Sequence, residues 1–343
     1  MYRQRITALL FAALAVTTVG PTPMACQENT AGPMRVVRKL PLGGDGRWDY
    51  LTVDSQTKRL YIARATRFMV VNTDTRELVG EISDTPGAHG VAVAADLGVG
   101  FTSNGQANDV SVFDVKTLAV TKKIPTGQNP DAILYHVPTR SVFVFNGQSH
   151  SVSVIDAASL SVTATIPLAG KPEFAVADDH GNVYVNIADK NTITVIDAAS
   201  RKVKHVWPLG PCEEPTGLSI DKSKGVAFAS CGNQKLAIVD LTIGKVIQTV
   251  PIGDDCDATA FDPNTQLVFA SNGEGSLTVI AKDGHGDYRV QQTLATQPGS
   301  KTMALDSSNG QIYIPTGKFS GPPTQKPRPK LVPGTFEVWI ISE

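Results

Sequence analysis

Seven residues at one recurring position of the chain have side chains that could do chemistry. Each precedes a recurring aromatic residue by about twelve positions. They are Asp49, His89, Asp131, Glu173, Thr216, Asp257 and Lys301. Four carboxylates, an imidazole, a hydroxyl and an ammonium group can together bind a ligand or a metal, and clustered carboxylates can raise a pKa for acid catalysis.

The aromatic residues that follow these positions reveal a repeat. They are separated by 40 to 44 residues and are Tyr61, Phe101, Phe143, Tyr184, Phe228, Phe269 and Tyr313. Each unit holds four short runs rich in β-branched and aromatic residues, as strands do. Asn-Gly pairs at 104–105, 146–147 and 272–273 predict hairpin turns between runs. Four strands in about 40 residues is the pattern of a propeller blade.

Counting the units predicts an all-β fold, a seven-bladed β-propeller with four antiparallel strands per blade. Six units are complete, whereas the seventh stops after its third strand at 338–342. Residues 35–43 match the outer strands of other units and supply the missing one. The N-terminal strand should therefore complete the last blade and close the ring, which removes an exposed strand edge.

The repeat also carries a family resemblance. The segment VYVNIADKNTITVIDAASRKV, followed by PLG, resembles the YVTN repeat. From about residue 35 to 343 the chain is similar to the YncE-like seven-bladed β-propeller proteins. This resemblance implies an exported propeller that binds a ligand or belongs to the cell envelope. It implies no catalytic residues, because that family shares no catalytic motif.

In a propeller, the loops before the innermost strands open at one end of the central channel, so the seven polar residues should meet at this mouth. Blade 1 adds Arg47, Arg64 and Arg67 to this face, and blade 7 contributes Lys301. Blades 3 to 6 add mainly carboxylates, which predicts a basic side and an acidic side. The seven residues and Arg47 are the candidate ligand-binding set. A polar mouth filled only by water is the alternative.

Residues 1–25 predict a signal peptide, because two arginines precede an apolar run and a stretch of small residues. A retained N-terminal anchor is the alternative. Cleavage would change the formal charge from −1 to −3 and leave a short linker at 26–34 before a single propeller domain at 35–343. We therefore expect a periplasmic or extracellular protein with no transmembrane span in the mature chain. Lipidation of Cys26 would make it a lipoprotein.

Three further cysteines, Cys212, Cys231 and Cys256, map to the mouth face. Cys231 takes the place that asparagine holds in other units. In an oxidising compartment, a Cys212–Cys231 disulfide is the leading interpretation and leaves Cys256 unpaired, whereas a Cys231–Cys256 bond is the alternative. Their spacing matches no compact zinc motif.

An insertion at 318–334 lies between the second and third strands of blade 7. It contains five prolines, four cationic residues and no acid, which favours an extended, polyproline-like chain. Its position predicts that it projects over the mouth as a lid or docking arm. A tolerated surface insertion is the alternative.

These features favour a binding or scaffold protein that takes a small molecule, a peptide or an envelope protein at the channel mouth, and we expect a monomer. No G-x-S-x-G, H-E-x-x-H or C-x-x-C-H motif occurs. The alternative is a periplasmic lyase or hydrolase, or a metal-dependent enzyme, that uses His89 and the mouth carboxylates. No cofactor is expected, although a divalent metal would fit among the carboxylates.

Charge argues against a nucleic-acid partner. The chain has 31 Lys and Arg against 32 Asp and Glu, which lacks the basic excess of proteins that bind DNA or RNA. The basic insertion keeps nucleic-acid binding as a third hypothesis.

Overall fold

The structure, a computed structural model, describes residues 32–322 and 329–343. Over these ranges the chain forms seven four-stranded antiparallel sheets and three single-turn 3-10 helices. In six sheets the strands follow one another along the chain, whereas the seventh combines the last three strands with the first. The protein is an all-β, seven-bladed β-propeller, as the repeat predicts.

The first strand, β1 (Arg35–Pro41), belongs to the last blade. Blade 1 consists of β2 (Leu51–Asp54), β3 (Arg59–Arg64), β4 (Arg67–Asn72) and β5 (Leu78–Ile82). Blade 2 consists of β6 (Ala88–Ala94), β7 (Val99–Asn104), β8 (Asp109–Asp114) and β9 (Val120–Pro125). Blade 3 consists of β10 (Pro130–His136), β11 (Ser141–Asn146), β12 (Ser151–Asp156) and β13 (Ser161–Pro167).

The remaining blades follow the same order from the channel outwards. Blade 4 consists of β14 (Pro172–Ala177), β15 (Asn182–Ile187), β16 (Thr192–Asp197) and β17 (Lys202–Pro208). Blade 5 consists of β18 (Pro215–Asp221), β19 (Val226–Cys231), β20 (Lys235–Asp240) and β21 (Lys245–Pro251). Blade 6 consists of β22 (Cys256–Phe261), β23 (Val268–Asn272), β24 (Ser276–Lys282) and β25 (Tyr288–Ala295). Blade 7 consists of β26 (Ala304–Asp306), β27 (Gln311–Thr316), β28 (Glu337–Ser342) and β1. The 3-10 helices are Ala95–Leu97, Val137–Thr139 and Ala188–Lys190.

Ring closure depends on the pairing of β1 with β28. The two strands run antiparallel, with Arg35 opposite Ser342 and Pro41 opposite Glu337. Just before β1, the backbone N–H of Met34 donates to the side chain of Gln292 in blade 6 at 2.8 Å. The predicted closure by the N-terminal strand is confirmed.

The core lies between neighbouring blades. All six residues of β11 are buried, whereas β13 at the outer edge is mostly exposed. Middle strands therefore read as continuous apolar runs, because both of their faces are covered. The seven repeat aromatics are only 0 to 3% exposed. Tyr313 of blade 7 shares an apolar cluster with Leu60 and Ile62 of blade 1, so this packing also spans the closure.

In blades 2 to 5 the third strand ends in an aspartate that shapes the turn that follows. Asp114 Oδ1 accepts the backbone N–H groups of Lys116 and Thr117 at 2.9 and 2.8 Å. The hydrogen bonds from Thr117 lower the pKa of Asp114. Asp156 and Asp240 accept equivalent backbone bonds in blades 3 and 5. The recurring aspartate therefore has a structural role.

The three Asn-Gly pairs lie at hairpin turns between antiparallel strands, as predicted. Asn104 ends β7, and its buried amide donates to Asp109 and to Ser111 of β8 at 2.7 and 2.9 Å. A Cβ on Gly105 would lie 2.6 Å from Nε2 of His89. Glycine is needed there because the imidazole approaches the backbone closely. The asparagine braces two strands.

The structure joins Cys212 to Cys231 by a disulfide bond. Where Asn104 and Asn146 bond to Ser111 and Ser153 on the third strand, blade 5 has Cys231 facing a strand that carries Ala237. The hydrophobic disulfide thus replaces a polar brace. Cys256 is free and buried, and burial raises the pKa of its thiol to about 12.

Some sequence predictions fall outside the described ranges. They concern the signal peptide at 1–25, Cys26, most of the linker at 26–34, and residues 323–328 of the insertion. Within residues 32–322 and 329–343, no helix has the length and apolar character needed to cross a membrane.

Removing β1 should open the ring. A chain that begins at Asp45 leaves the edge of β28 unpaired, so we expect its thermal unfolding midpoint to fall by about 10 °C or more. Differential scanning calorimetry against a chain that begins at Gly32, and so keeps β1, measures the difference. Equal melting of the two chains would contradict closure by this strand.

Loss of the disulfide should destabilise the whole propeller. The Cys212→Ala, Cys231→Ala double variant removes a cross-link over 19 residues, for which chain entropy gives about 3 kcal/mol. Urea unfolding of oxidised protein measures this difference, and Cys256→Ala is the matched control that leaves the bond intact. An unchanged free energy of unfolding in the double variant would count against the bond.

Candidate functional site

The predicted mouth residues lie at the start of the innermost strands. In blades 2 to 6 each is the second residue of its strand, and the strand pairing changes register there. The shift spans His89 between Ala88 and Val91. A β-bulge of this kind bends a strand and redirects a side chain. The repeat thus turns equivalent side chains toward one opening.

A single cavity of about 850 Å³ has all eight candidate ligand-binding residues in its wall. They are Arg47, Asp49, His89, Asp131, Glu173, Thr216, Asp257 and Lys301. This volume lies within the range of small-molecule sites, about 300 to 1,000 Å³. The structure therefore brings together every residue that the repeat register predicts, although their role in binding stays a prediction.

Three cationic side chains form the ion pairs that organise the charges of the mouth. His89 Nδ1 hydrogen bonds to Asp49 and lies 3.6 Å from Asp131 Oδ1. Lys301 Nζ lies 2.8 Å from Asp257 and 3.5 Å from Asp255. The third cation, Lys171, pairs with Glu173.

One residue of the predicted basic side, Arg64, is not at the mouth, and another, Lys301, pairs with a carboxylate of the predicted acidic side. Lys301 from blade 7 bonds directly to Asp257 of blade 6, because the side chains of adjacent blades meet across the bulged strand ends. Arg64 is fully buried and does not reach the cavity wall. Its guanidinium lies 3.6 Å from the ring of Phe336, and it donates to backbone carbonyls of 43–46. Arg64 therefore holds the loop that carries Arg47.

Asp131 differs from the other three carboxylates of the ring because its ion-pair contact is the longest, with 3.6 Å to a histidine that also bonds to Asp49. Its side chain is 14% exposed, and its Oδ1 is buried without a hydrogen-bond partner in the described structure. Burial raises the pKa of Asp131 to about 6, against the opposing charge of His89. Burial also raises the pKa of Asp49.

His89 is held in its protonated form. Burial alone would lower the pKa of His89, but the hydrogen bond to Asp49 and the charge of Asp131 outweigh it and raise the pKa to about 9. The imidazole is therefore a cation at neutral pH. Glu173 resembles Asp131, since burial raises its pKa despite the bond from Lys171.

Thr216 has a structural partner. Its hydroxyl donates to the backbone carbonyl of Cys256 in the next blade at 2.6 Å. The bond links the innermost strands of blades 5 and 6. It leaves Thr216 as a neutral part of the cavity wall.

Two aromatic residues that the sequence analysis did not name close the bottom of the mouth. Tyr50 is 7% exposed, and its ring meets Phe174 edge-on with 5.1 Å between centroids. Tyr50 lines the mouth cavity, whereas Phe174 lines a second cavity of about 890 Å³ at the other end of the channel. The aromatic pair separates the two cavities.

The sequence did contain a signal for this pair. The position directly after each ring residue holds a small or hydroxyl residue in the other five blades, namely Gly90, Ala132, Gly217, Ala258 and Thr302. Tyr50 and Phe174 occupy that position in blades 1 and 4, so their bulk must fill the channel. Lys171, two residues before Glu173, was also missed.

The insertion begins at the rim of the mouth. Phe319 pairs with Leu331 in an isolated β-bridge, and its ring lies 5.4 Å from that of Trp48. Trp48 is in the wall of the cavity. The described part of the insertion, 318–322 and 329–334, is thus anchored at the rim, and its function as a lid or docking arm stays a prediction.

Comparison with known proteins supports the propeller fold but no family and no specific function. No family model matches the chain, and no curated protein matches it. Among solved structures it is similar to hydrazine synthase of Kuenenia stuttgartiensis, with a TM-score of 0.69 and 17% identity over 80% of this chain and 92% of that one. At this identity the likeness shows the propeller fold alone. The YncE-like resemblance therefore remains a resemblance.

Replacing Asp131 by asparagine should stabilise the protein at neutral pH. The folded state raises the pKa of this carboxyl from 3.8 to about 6, so ionising it costs stability as pH rises through that interval. Asparagine mimics the protonated form. We expect Asp131→Asn to gain roughly 2–3 kcal/mol at pH 7.5 and about half of that at pH 5.

Urea unfolding at the two pH values, without ligand, measures this gain. Asp179→Asn is the matched control, because Asp179 is an exposed surface carboxylate with the same charge. Both pH values lie below the pKa of His89, about 9, so His89 stays protonated in the folded state. A loss of stability in Asp131→Asn at pH 7.5 would contradict the interpretation.

Proposed function

We propose that this protein is an exported binding protein whose mouth cavity takes a small ligand with one positively charged group. The observation that carries the proposal is Asp131, whose carboxylate lies 3.6 Å from a histidine that also bonds to Asp49 and has a buried oxygen without a hydrogen bond to any described residue. A charge that is buried without full pairing is unfavourable. A ligand cation beside Asp131 relieves that cost.

The balance of charge in the cavity wall supports a cationic ligand. Seven carboxylates line it, from Asp49, Asp131, Glu173, Asp189, Glu214, Asp255 and Asp257. The cationic side chains are fewer and come from Arg47, Lys171, Lys301 and the protonated His89. Negative groups in a concave site attract a cation and repel an anion.

Export is part of the proposal. The signal-like segment at 1–25 supports passage to the periplasm or beyond, and the Cys212–Cys231 bond is compatible with an oxidising compartment. Lipidation at Cys26 and an envelope protein as partner remain predictions. We also propose that the protein acts as a monomer.

A divalent metal is the second candidate ligand. Donor atoms of Asp49, His89 and Asp131 all lie within 4.8 Å of one another, which fits a site of two carboxylates and one imidazole. Metal binding would have to displace the proton that Asp49 and Asp131 hold on His89. This competition favours an organic cation over a metal at neutral pH.

Catalysis is the less favoured alternative. A lyase or hydrolase that used His89 as a general base would need a neutral imidazole, but its raised pKa keeps the ring protonated at neutral pH. In this state His89 can only donate a proton. The binding proposal needs no such step.

Thermal unfolding with chemically simple probes tests the proposal. Choline and ethanolamine are the cationic probes, acetate and glucose are the anionic and neutral ones, and Mn²⁺ tests the metal. We expect a cationic probe, choline or ethanolamine, at about 100 times its Kd to stabilise the protein by about 2.7 kcal/mol. The effect should disappear in Asp131→Asn and weaken below about pH 6, where Asp131 becomes protonated.

Asp179→Asn controls for the change in net charge and should respond like the parent protein. A response to Mn²⁺ but to neither choline nor ethanolamine would favour the metal candidate. No response to any cation would contradict the proposed function. A shift with acetate of the same size would contradict the charge argument.

A further inference from the structure

Two aromatic side chains flank Asp49 in the chain and line the same acidic cavity. They are Trp48 and Tyr50, and neither belongs to the set of repeated polar residues. An aromatic ring presents a negative face, so it attracts a cation that has little water around it. A cavity that combines carboxylates with aromatic faces therefore discriminates among cations.

The packing around these rings fixes both of them. Trp48 contacts Phe319 on one side and Phe336 on another, with centroid distances of 5.4 and 5.5 Å. Tyr50 rests edge-on against Phe174 at 5.1 Å. Rings that are held in place before binding lose little conformational freedom when a ligand arrives.

The hydrogen-bond acceptors of the mouth also favour a cation that brings few N–H donors. Asp49 already accepts from His89, Glu173 accepts from Lys171, and Asp257 pairs with Lys301 at 2.8 Å. A primary ammonium group has three N–H donors that all need acceptors once it leaves water. Among the four ring carboxylates, Asp131 has the longest ion-pair contact, 3.6 Å from His89 Nδ1, and its Oδ1 accepts no hydrogen bond in the described structure.

A quaternary ammonium group avoids this difficulty. It carries its charge on methyl groups, has no N–H to satisfy, and makes its contacts with ring faces and with one carboxylate. Its methyl groups can lie over the Tyr50 ring at the bottom of the cavity and against Trp48 at the rim. The burial of Tyr50, together with four carboxylates near its hydroxyl, raises its pKa, so the ring stays neutral.

We propose that the mouth selects a quaternary, trimethylammonium-type cation over a primary amine, with Asp131 as its counter-ion and Tyr50 and Trp48 as its aromatic walls. The inference rests on the proposed function and names the class of ligand. Tyr50 and Trp48 are then specificity-determining residues. Asp131 supplies attraction to either type of cation.

Isothermal titration calorimetry with choline and ethanolamine tests the preference, because these probes differ only in N-methylation. We expect wild-type protein to bind choline about tenfold more tightly than ethanolamine at pH 7.5. In Tyr50→Leu and in Trp48→Leu, the ratio of the two dissociation constants should fall toward one. Tyr135→Leu and Trp207→Leu are matched controls, because both rings lie outside the mouth cavity, and they should keep the ratio.

The outcomes separate the two proposals. If wild-type protein binds both probes equally, the selectivity is wrong and the binding function stands. If it binds neither probe, the binding function fails and the selectivity falls with it. If the preference for choline survives in both leucine variants, the aromatic walls are not its source. Should a leucine variant fail to fold, the ratio of the choline and ethanolamine dissociation constants of the wild-type protein still tests the proposed selectivity.

Discussion

Each blade of this propeller has two apolar faces that only its neighbours can cover, so the stability of every blade depends on a closed ring. The middle strands show this dependence most clearly, since β11 is buried along its whole length. At the junction of the two chain ends, the contact is made by β1 pairing with β28 and by Tyr313 packing beside Leu60. Without that junction, blades 1 and 7 would expose apolar faces to water.

Closure also creates the site. Equivalent positions of seven blades meet at one opening, and the bulges at the start of the inner strands turn polar side chains into it. Like charges gathered in this way are unfavourable unless cations accompany them. His89, Lys171 and Lys301 provide that compensation for three carboxylates. Asp131 is left with a cation that also bonds to Asp49, and for this reason we propose it as the counter-ion of a ligand cation.

Departures from the repeat carry more information about function than the repeat itself. Tyr50 and Phe174 replace small residues at an inner position and thereby divide the channel into two cavities. Cys231 replaces a bracing asparagine and forms a disulfide bond with Cys212. At the position of the aromatic pair the other five blades follow the common pattern, so the exception marks a place where something other than the repeat set the residue.

The sequence alone determined the blade number, the strand order, the closing strand and the ring of repeated polar residues at the mouth, because all of these follow from a period and an offset along the chain. It could not determine which cation bonds to which carboxylate, since Lys301 reaches Asp257 through space across a blade boundary. It also misplaced Arg64, whose buried guanidinium serves the backbone of a neighbouring loop. Register along a strand is a local property that repeats preserve, whereas pairing and burial depend on distances between blades that only the tertiary structure sets.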